Sequence, residues 1–253
     1  GKLNPAVMYA AKKCGISEIL SAGGSQAIAS LAYIQRVNKI IGPGNDYVAR
    51  AKKEVFGDVG IEGMIAGPSE ITIVADKNTN LNQVTTSMIS QAEHDTNSQC
   101  ILITNNLNLI KLIKKYLKNE LNKIPRKAIA KKSLLKNGLI IRTYNNKQIV
   151  DSINEIAPEH LELNIKKYKK IVEKINNAGS IMLGKYSPMS ASDYAIGPTH
   201  CLPTLGSAKF SSGLNVDEFY KKTSYIKLSK KGIEVIGKKA ITLAEYEGLI
   251  GHA

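Results

Sequence analysis

The chain has no tryptophan among its 253 residues, and only three phenylalanines, three cysteines and four histidines. Each shortage narrows the possible functions. Cys14, Cys100 and Cys201 form no CxxC pair and leave one thiol over, which excludes a disulfide framework and fits a reducing compartment. Each reads as a small buried hydrophobe. Cys201 follows His200 directly, but sequence neighbours point apart in a strand, so the two make a poor nucleophile and base. No apolar run reaches the roughly 18 residues that span a bilayer. The opening GKLNPAVMYAAKKCG also lacks a signal-peptide core. The expectation is therefore a soluble cytoplasmic protein with no membrane partner.

Acidic residues are also few, 21 against 35 basic, for a formal charge of +14. The excess is mostly lysine, concentrated in KLIKKYLKNELNKIPRKAIAKKSLLKN, where one tyrosine and one arginine are the only stacking or forked groups. Sequence-specific nucleic-acid readers need such groups. We read the lysines as a solvated face and expect no specific nucleic-acid partner.

What remains is a chain with 43% hydrophobic residues, enough for one large or two smaller α/β domains. Residues 4–13 read as a helix stopped by Gly15, EILSA as a short strand, SQAIASLAY as a helix, and VNKIIGPG as a strand running into a turn before a helix opened by Asn45. EITIVAD, QCILITNN, GLIIRTY and GSIMLG read as strands. LNQVTTSMISQAEHD, LNLIKLIKKYLKNEL and KQIVDSINEIA read as the helices between them. Tyr186 to Ser212 is loop-rich, and VDEFYKKTS and KGIEVIGKKAITLAEYEG form a helical tail. This alternation predicts an α/β fold with mostly parallel sheets.

The four histidines sit in polar, punctuated motifs: QAEH at His94, PEH at His160, GPTH at His200 and GH at His252. Any one could be an ordinary surface or core residue, but all four beside such motifs point to a site. Gln91 and His94 lie three apart near the end of a helix and can converge on one ion. Asp193 and His252 are further ligand candidates by type and loop context. Gln91 alone could equally be a solvent-facing amide. Glu159 and His160 are adjacent at a helix-to-strand connection, where a carboxylate can activate water and an imidazole can take a proton. They could equally be a helix-terminal Glu beside a partly buried His. The turns GGSQA, GPGN and AGPSE allow close backbone approach to a ligand. None is a GxGxxG fingerprint, and each could be an ordinary tight turn.

In this order, GGSQAIASLAY, KIIGPGNDYVARAKKEVFGDVGI, AGPSE, QAEHD, PEHLEL, NAGSIMLG, SDYAIGPTHCLPT, FSSGL and EGLIGH resemble the histidinol dehydrogenase family. The resemblance implies oxidation of L-histidinol to L-histidine through L-histidinaldehyde with two NAD+, the last step of histidine biosynthesis. It also implies a zinc-dependent homodimer of incomplete Rossmann-like domains, with one zinc per subunit. Carried over by position, it makes Gln91, His94, Asp193 and His252 the zinc ligands, all close to substrate. Glu159 and His160 become the catalytic pair. Ser69, His160 and Glu247 become substrate contacts, and Gln26 and Asn45 become NAD contacts, while His200 falls in a motif near the substrate with its role open. Residues 1–70 would be part of an NAD-binding domain and 71–213 a zinc- and substrate-binding domain. Residues 214–253 would be a helical tail that contacts the partner and completes its site.

Family members are longer at the amino end, and their tail continues past GHA, so the resemblance implies a C-terminal fragment. One residue more than expected stands near Gly63. The rival readings are a noncatalytic fragment of such an enzyme and, further off, a zinc hydrolase using Glu159 as base with no need of NAD.

Overall fold

The computed structural model describes residues 3–62 and 67–253, so the extra residue expected near Gly63 lies outside the described residues. By contacts the chain divides into two compact units, residues 1–218 and 219–253.

The first unit is organised by β3 (Glu70–Ala75), whose six residues are all buried. A strand rich in β-branched residues and covered on both faces belongs in the middle of a parallel sheet. β3 pairs in parallel with β4 (Gln99–Thr104) on one side and with β6 (His160–Asn164) on the other. β5 (Gly138–Arg142) and β7 (Ser180–Leu183) complete the order β5-β4-β3-β6-β7. This is a doubly wound half-fold whose connections reverse direction between β3 and β6. A separate parallel pair, β1 (Lys39–Ile40) with β2 (Gly60–Ile61), lies nearer the amino end.

The helices are α1 (Pro5–Lys13), α2 (Gly24–Ala29, continuing as a π-helical turn to Ile34) and α3 (Asp46–Glu54). They continue with α4 (Leu81–Ala92), α5 (Leu107–Leu121), α6 (Lys127–Asn137) and α7 (Asn146–Ile156). The short α8 (Lys169–Val172) and α9 (Met189–Tyr194) follow. Much of the asparagine content has a local purpose. The side chains of Asn4, Asn45, Asn80, Asn106 and Asn145 accept backbone N–H bonds at the starts of α1, α3, α4, α5 and α7. α7 ends on Ala157, which is left-handed at φ 49°, and Pro158 then forbids continuation and turns the chain into β6.

One face of the five-stranded sheet packs Ile71, Ile73 and Leu102 against Val84 and Met88 of α4, with Leu109, Ile113 and Ala130 beyond them. The other face packs Val74, Ile101, Ile103, Leu161 and Leu163 against Ile149, Val150 and Ile153 of α7 and Ile171 of α8. A smaller core under β1 and β2 holds Ile28, Ile40, Val55 and Ile61. At the carboxyl ends of β3 and β6, the Thr79 hydroxyl donates to the Asn164 carbonyl and joins the two strands.

Several expectations need correction. EILSA (18–22) forms no strand, because no neighbouring strand pairs with it, and Ile19 and Leu20 stay exposed. The stretch after Pro125 contains α6, whose lysine-rich sequence hides its few inward residues, Ala130 and Ser133. Within VDEFYKKTS only Val216–Phe219 is helical, as a 3-10 turn. Cys14 is exposed, Cys100 is buried, and Cys201 lies between. The second unit contains α10 (Lys230–Tyr246), capped by the Ser229 hydroxyl, and a 3-10 turn at Ile250–His252. Among the described residues no helix is long and apolar enough to cross a membrane.

Leu102 is fully buried in the β4 core. Leu102→Ala should cost about 2–5 kcal/mol of unfolding free energy, read as a lowered denaturant midpoint with little change in slope.

Candidate active site

The amino edge of the five-stranded sheet collects the acid–base groups. β6 opens on His160, directly after Glu159, and both side chains are buried, at 4% and 6% exposure. Parallel pairing sets His160 against Ile71, so the peptide groups of Glu70 lie beside the pair. The Glu70 N–H donates to Glu159 Oε2 at 2.7 Å, and the Glu70 carbonyl lies 3.1 Å from His160 Nδ1. A carbonyl accepts only, so this contact places the proton on Nδ1 and leaves Nε2 as the basic nitrogen. Nε2 is buried without a hydrogen-bond partner, 3.5 Å from Asp193 Oδ1, and Nδ1 is also 3.5 Å from Glu159 Oε2. Burial pulls the His160 pKa down, but the Asp193 and Glu159 carboxylates outweigh it and bring it to about 9.

Close backbone packing makes this possible. The Gly179 N–H donates to the Pro158 carbonyl, and a Cβ on Gly179 would lie 2.6 Å from the Glu159 carbonyl oxygen. Only glycine lets the residue that leads into β7 approach so near.

The expected metal ligands are placed unevenly. Gln91, in the last turn of α4, is 1% exposed, yet both atoms of its amide lack partners. A buried amide left this way costs about 1–3 kcal/mol per group, and a cation on its oxygen would supply the missing partner. The carboxyl end of α4 also carries the negative end of the helix dipole, which favours a cation. His94 lies two residues beyond the helix and is exposed, but its N–H bonds the Gln91 carbonyl, so the spacing of three survives as a turn. Asp193, on α9, is half-buried beside His160. Glu247 caps the end of α10, and His252 lies in the final 3-10 turn. Both are exposed and belong to the second unit. Among the described residues no three His, Cys, Asp or Glu side chains gather into a metal cluster. Gln91 and Asp193 each offer oxygen donors that could hold a metal ion.

A cavity of about 370 Å³ opens onto this edge. Its walls include Ile41–Gly44 after β1, Glu62 after β2, Ser69, Glu159, and the loop from His200 to Thr204. The carboxyl ends of the small sheet thus share one pocket with the amino edge of the large one. Carboxyl ends of parallel strands are where dinucleotides usually bind, and the glycines of GPGN keep that wall low. Asn45 is exposed and caps α3 through Val48 N–H at 3.1 Å, while Gln26 is exposed on α2.

Sequence reasoning missed several residues here. The Glu70 side chain accepts from Leu205 N–H at 3.1 Å, and Thr204 Oγ1 accepts from Gly67 N–H at 2.8 Å, interlocking two walls of the pocket. Leu205 is held left-handed at φ 54°. Burial raises the Glu70 carboxyl to about 6. Buried Lys52 donates to the carbonyls of Gly42 and Glu62 behind the GPGN turn. Glu162, two residues after His160, points to the same face of β6 and is also buried. Strand alternation could have singled out Glu162, but nothing in sequence marks Glu70 or Lys52 as inward-facing.

The profile of the histidinol dehydrogenase family matches residues 1–253. Among curated relatives, the chain is 60% identical to the histidinol dehydrogenase of Pelagibacter ubique (strain HTCC1062) and 45% to that of Bacillus cereus (strain ATCC 14579). Both matches cover 100% of this chain and 60% of the relative, so the chain spans about 60% of the length of the curated relatives it matches. The crystal structure of histidinol dehydrogenase from Elizabethkingia anophelis superposes with a TM-score of 0.94 at 41% identity, covering 100% of this chain and 59% of that one.

The raised Glu70 pKa gives a measurable consequence. With the folded value about 6 and the reference value 4.5, the native state binds more protons than the unfolded state between those limits. Stability from this group therefore falls as pH rises from 4.5 to 6 and stays lower above. Glu70→Gln keeps an acceptor for Leu205 N–H and removes the buried charge. Denaturant titrations should show the variant about 2 kcal/mol more stable than the parent at pH 7, with the gap closing by pH 4.5.

Proposed function

Because the chain belongs to the histidinol dehydrogenase family, we propose that it carries the catalytic part of an enzyme that oxidises L-histidinol to L-histidine through L-histidinaldehyde, with two NAD+ and a zinc ion. The observation that carries this reading is the buried pair of Glu159 and His160, held by the Glu70 peptide, beside Asp193 and within reach of the cavity.

His160 is the base. The Glu70 carbonyl keeps the proton on Nδ1, so Nε2 can take the proton of the substrate alcohol as hydride leaves its carbon. With Asp193 committed to a cation, its upward pull on His160 weakens, which favours the neutral imidazole a base requires. Glu159, aligned by the Glu70 N–H, activates the water that adds to the aldehyde. His160 then serves again when the hydrate loses its second hydride. Bound NAD supplies the acceptor for both hydrides, with Gln26 and Asn45 as its contacts and the GPGN turn as its wall. Gln91, His94, Asp193 and His252 would hold the zinc, which would serve as a template for the substrate rather than as a source of hydroxide. Ser69, on the cavity wall, and Glu247 add substrate contacts.

On this reading residues 1–70 are part of the NAD-binding domain, 71–213 form the zinc and substrate domain, and 214–253 are a tail that meets a second subunit in a cytoplasmic homodimer. The tail's exposed apolar side chains, Ile233, Ile236 and Leu243 among them, suit burial against a partner.

The test is the yield of NADH per L-histidinol consumed, with excess NAD and zinc. The expected ratio is near two, and no NADH would favour a noncatalytic portion of the enzyme. Glu159→Gln should slow the second oxidation about 10²–10⁴-fold and pull the ratio toward one, whereas His160→Asn should slow both by a similar factor.

A further inference from the structure

Glu162 has no part in the chemistry proposed above, yet it is among the most buried charged residues, at 2% exposure. One of its oxygens, Oε1, accepts from Ser87 Oγ at 3.0 Å and from Met189 N–H at 2.7 Å. The other, Oε2, is buried without a hydrogen-bond partner. Ser87 belongs to α4 and Met189 opens α9, so one carboxylate oxygen ties two helices to β6.

The spacing gives this tie its meaning. Gln91 follows Ser87 by four residues on α4, and Asp193 follows Met189 by four on α9. Residues four apart share a helix face, so each ligand candidate stands one turn beyond a point fixed by Glu162. His160 precedes Glu162 by two on β6 and shares its face of the sheet. Gln91, Asp193 and His160 are therefore all placed relative to a single side chain. The Met189 contact also falls at the first N–H of α9, a donor with no partner inside the helix.

We propose that Glu162 is a positioning residue for the metal site: it sets α4 and α9 at the separation that lets Gln91 and Asp193 bind one divalent cation beside His160. This rests on the zinc reading above. Partners one layer behind metal ligands commonly contribute about 10–100-fold in metal affinity.

The experiment compares the parent protein with Ser87→Ala, Glu162→Gln and Glu162→Ala. The readouts are Zn2+ affinity by chelator competition, the visible absorption of the Co2+-loaded protein, and the melting temperature of the metal-free form. Glu162→Ala should lose about tenfold or more in Zn2+ affinity and shift the Co2+ band. Ser87→Ala cuts only the α4 arm and should lose a smaller factor, with the metal-free form still melting cooperatively at a somewhat lower temperature. Glu162→Gln keeps an acceptor for both arms and should rescue most of the affinity. If Glu162→Ala does not fold, the other two variants still decide. Parent-like affinity and Co2+ spectrum in Ser87→Ala, or a Glu162→Gln affinity as low as that of an unclamped site, would overturn the clamp and leave the zinc reading intact. A parent that binds neither metal would overturn both.

Discussion

The backbone of a single residue, Glu70, holds two neighbouring ionisable side chains of the candidate site. The N–H of Glu70 fixes the Glu159 carboxylate and its carbonyl fixes the His160 imidazole, and both contacts depend on β3 lying parallel to β6 in the register that sets Ile71 against His160. A slip of one residue would turn every side chain of β6 to the opposite face and separate the pair. The apolar cores on the two faces of the sheet prevent that slip, since Leu161 and Leu163 point one way while His160 and Glu162 point the other. The hydrophobic packing that stabilises the fold thus also sets the acid–base geometry.

The same arrangement fixes the electrostatics. His160 is surrounded by carboxylates whose attraction exceeds the cost of burying its charge, and Glu70 has its own carboxyl raised by burial. Gln91, at the negative end of α4, is buried with neither atom of its amide partnered. A cation on its oxygen would supply the missing partner. Among the described residues the His, Cys, Asp and Glu side chains do not by themselves complete a cluster. The chain also spans about 60% of its curated relatives.

Much of this was legible in the sequence because the signals were local. The strands EITIVA and QCILIT and the helix LNLIKLIKKYLKNEL stand as their periodicity predicts. The adjacency of Glu159 and His160 singled out two side chains that the structure buries together. EILSA failed because β-propensity needs a partner strand and none is beside it. α6 was missed because lysines dominate a helix that turns little more than Ala130 and Ser133 inward. Glu70 and Lys52 were invisible for a different reason. Their importance lies in which backbone groups they meet across long sequence separations, and no composition or spacing records that.

The hydroxyl of Thr79 closes the opposite edge of the sheet by joining the ends of β3 and β6 at the Asn164 carbonyl. In most doubly wound folds that junction is the doorway. Here one hydrogen bond bridges it, and the cavity lined by Glu159 lies at the other edge. For a chemist designing an inhibitor, the approach is therefore from the amino edge, past the GPGN turn and the loop of His200. For an engineer, the carboxyl edge is the place to graft a loop or a label, because Glu159 and His160 lie at the far end of β6.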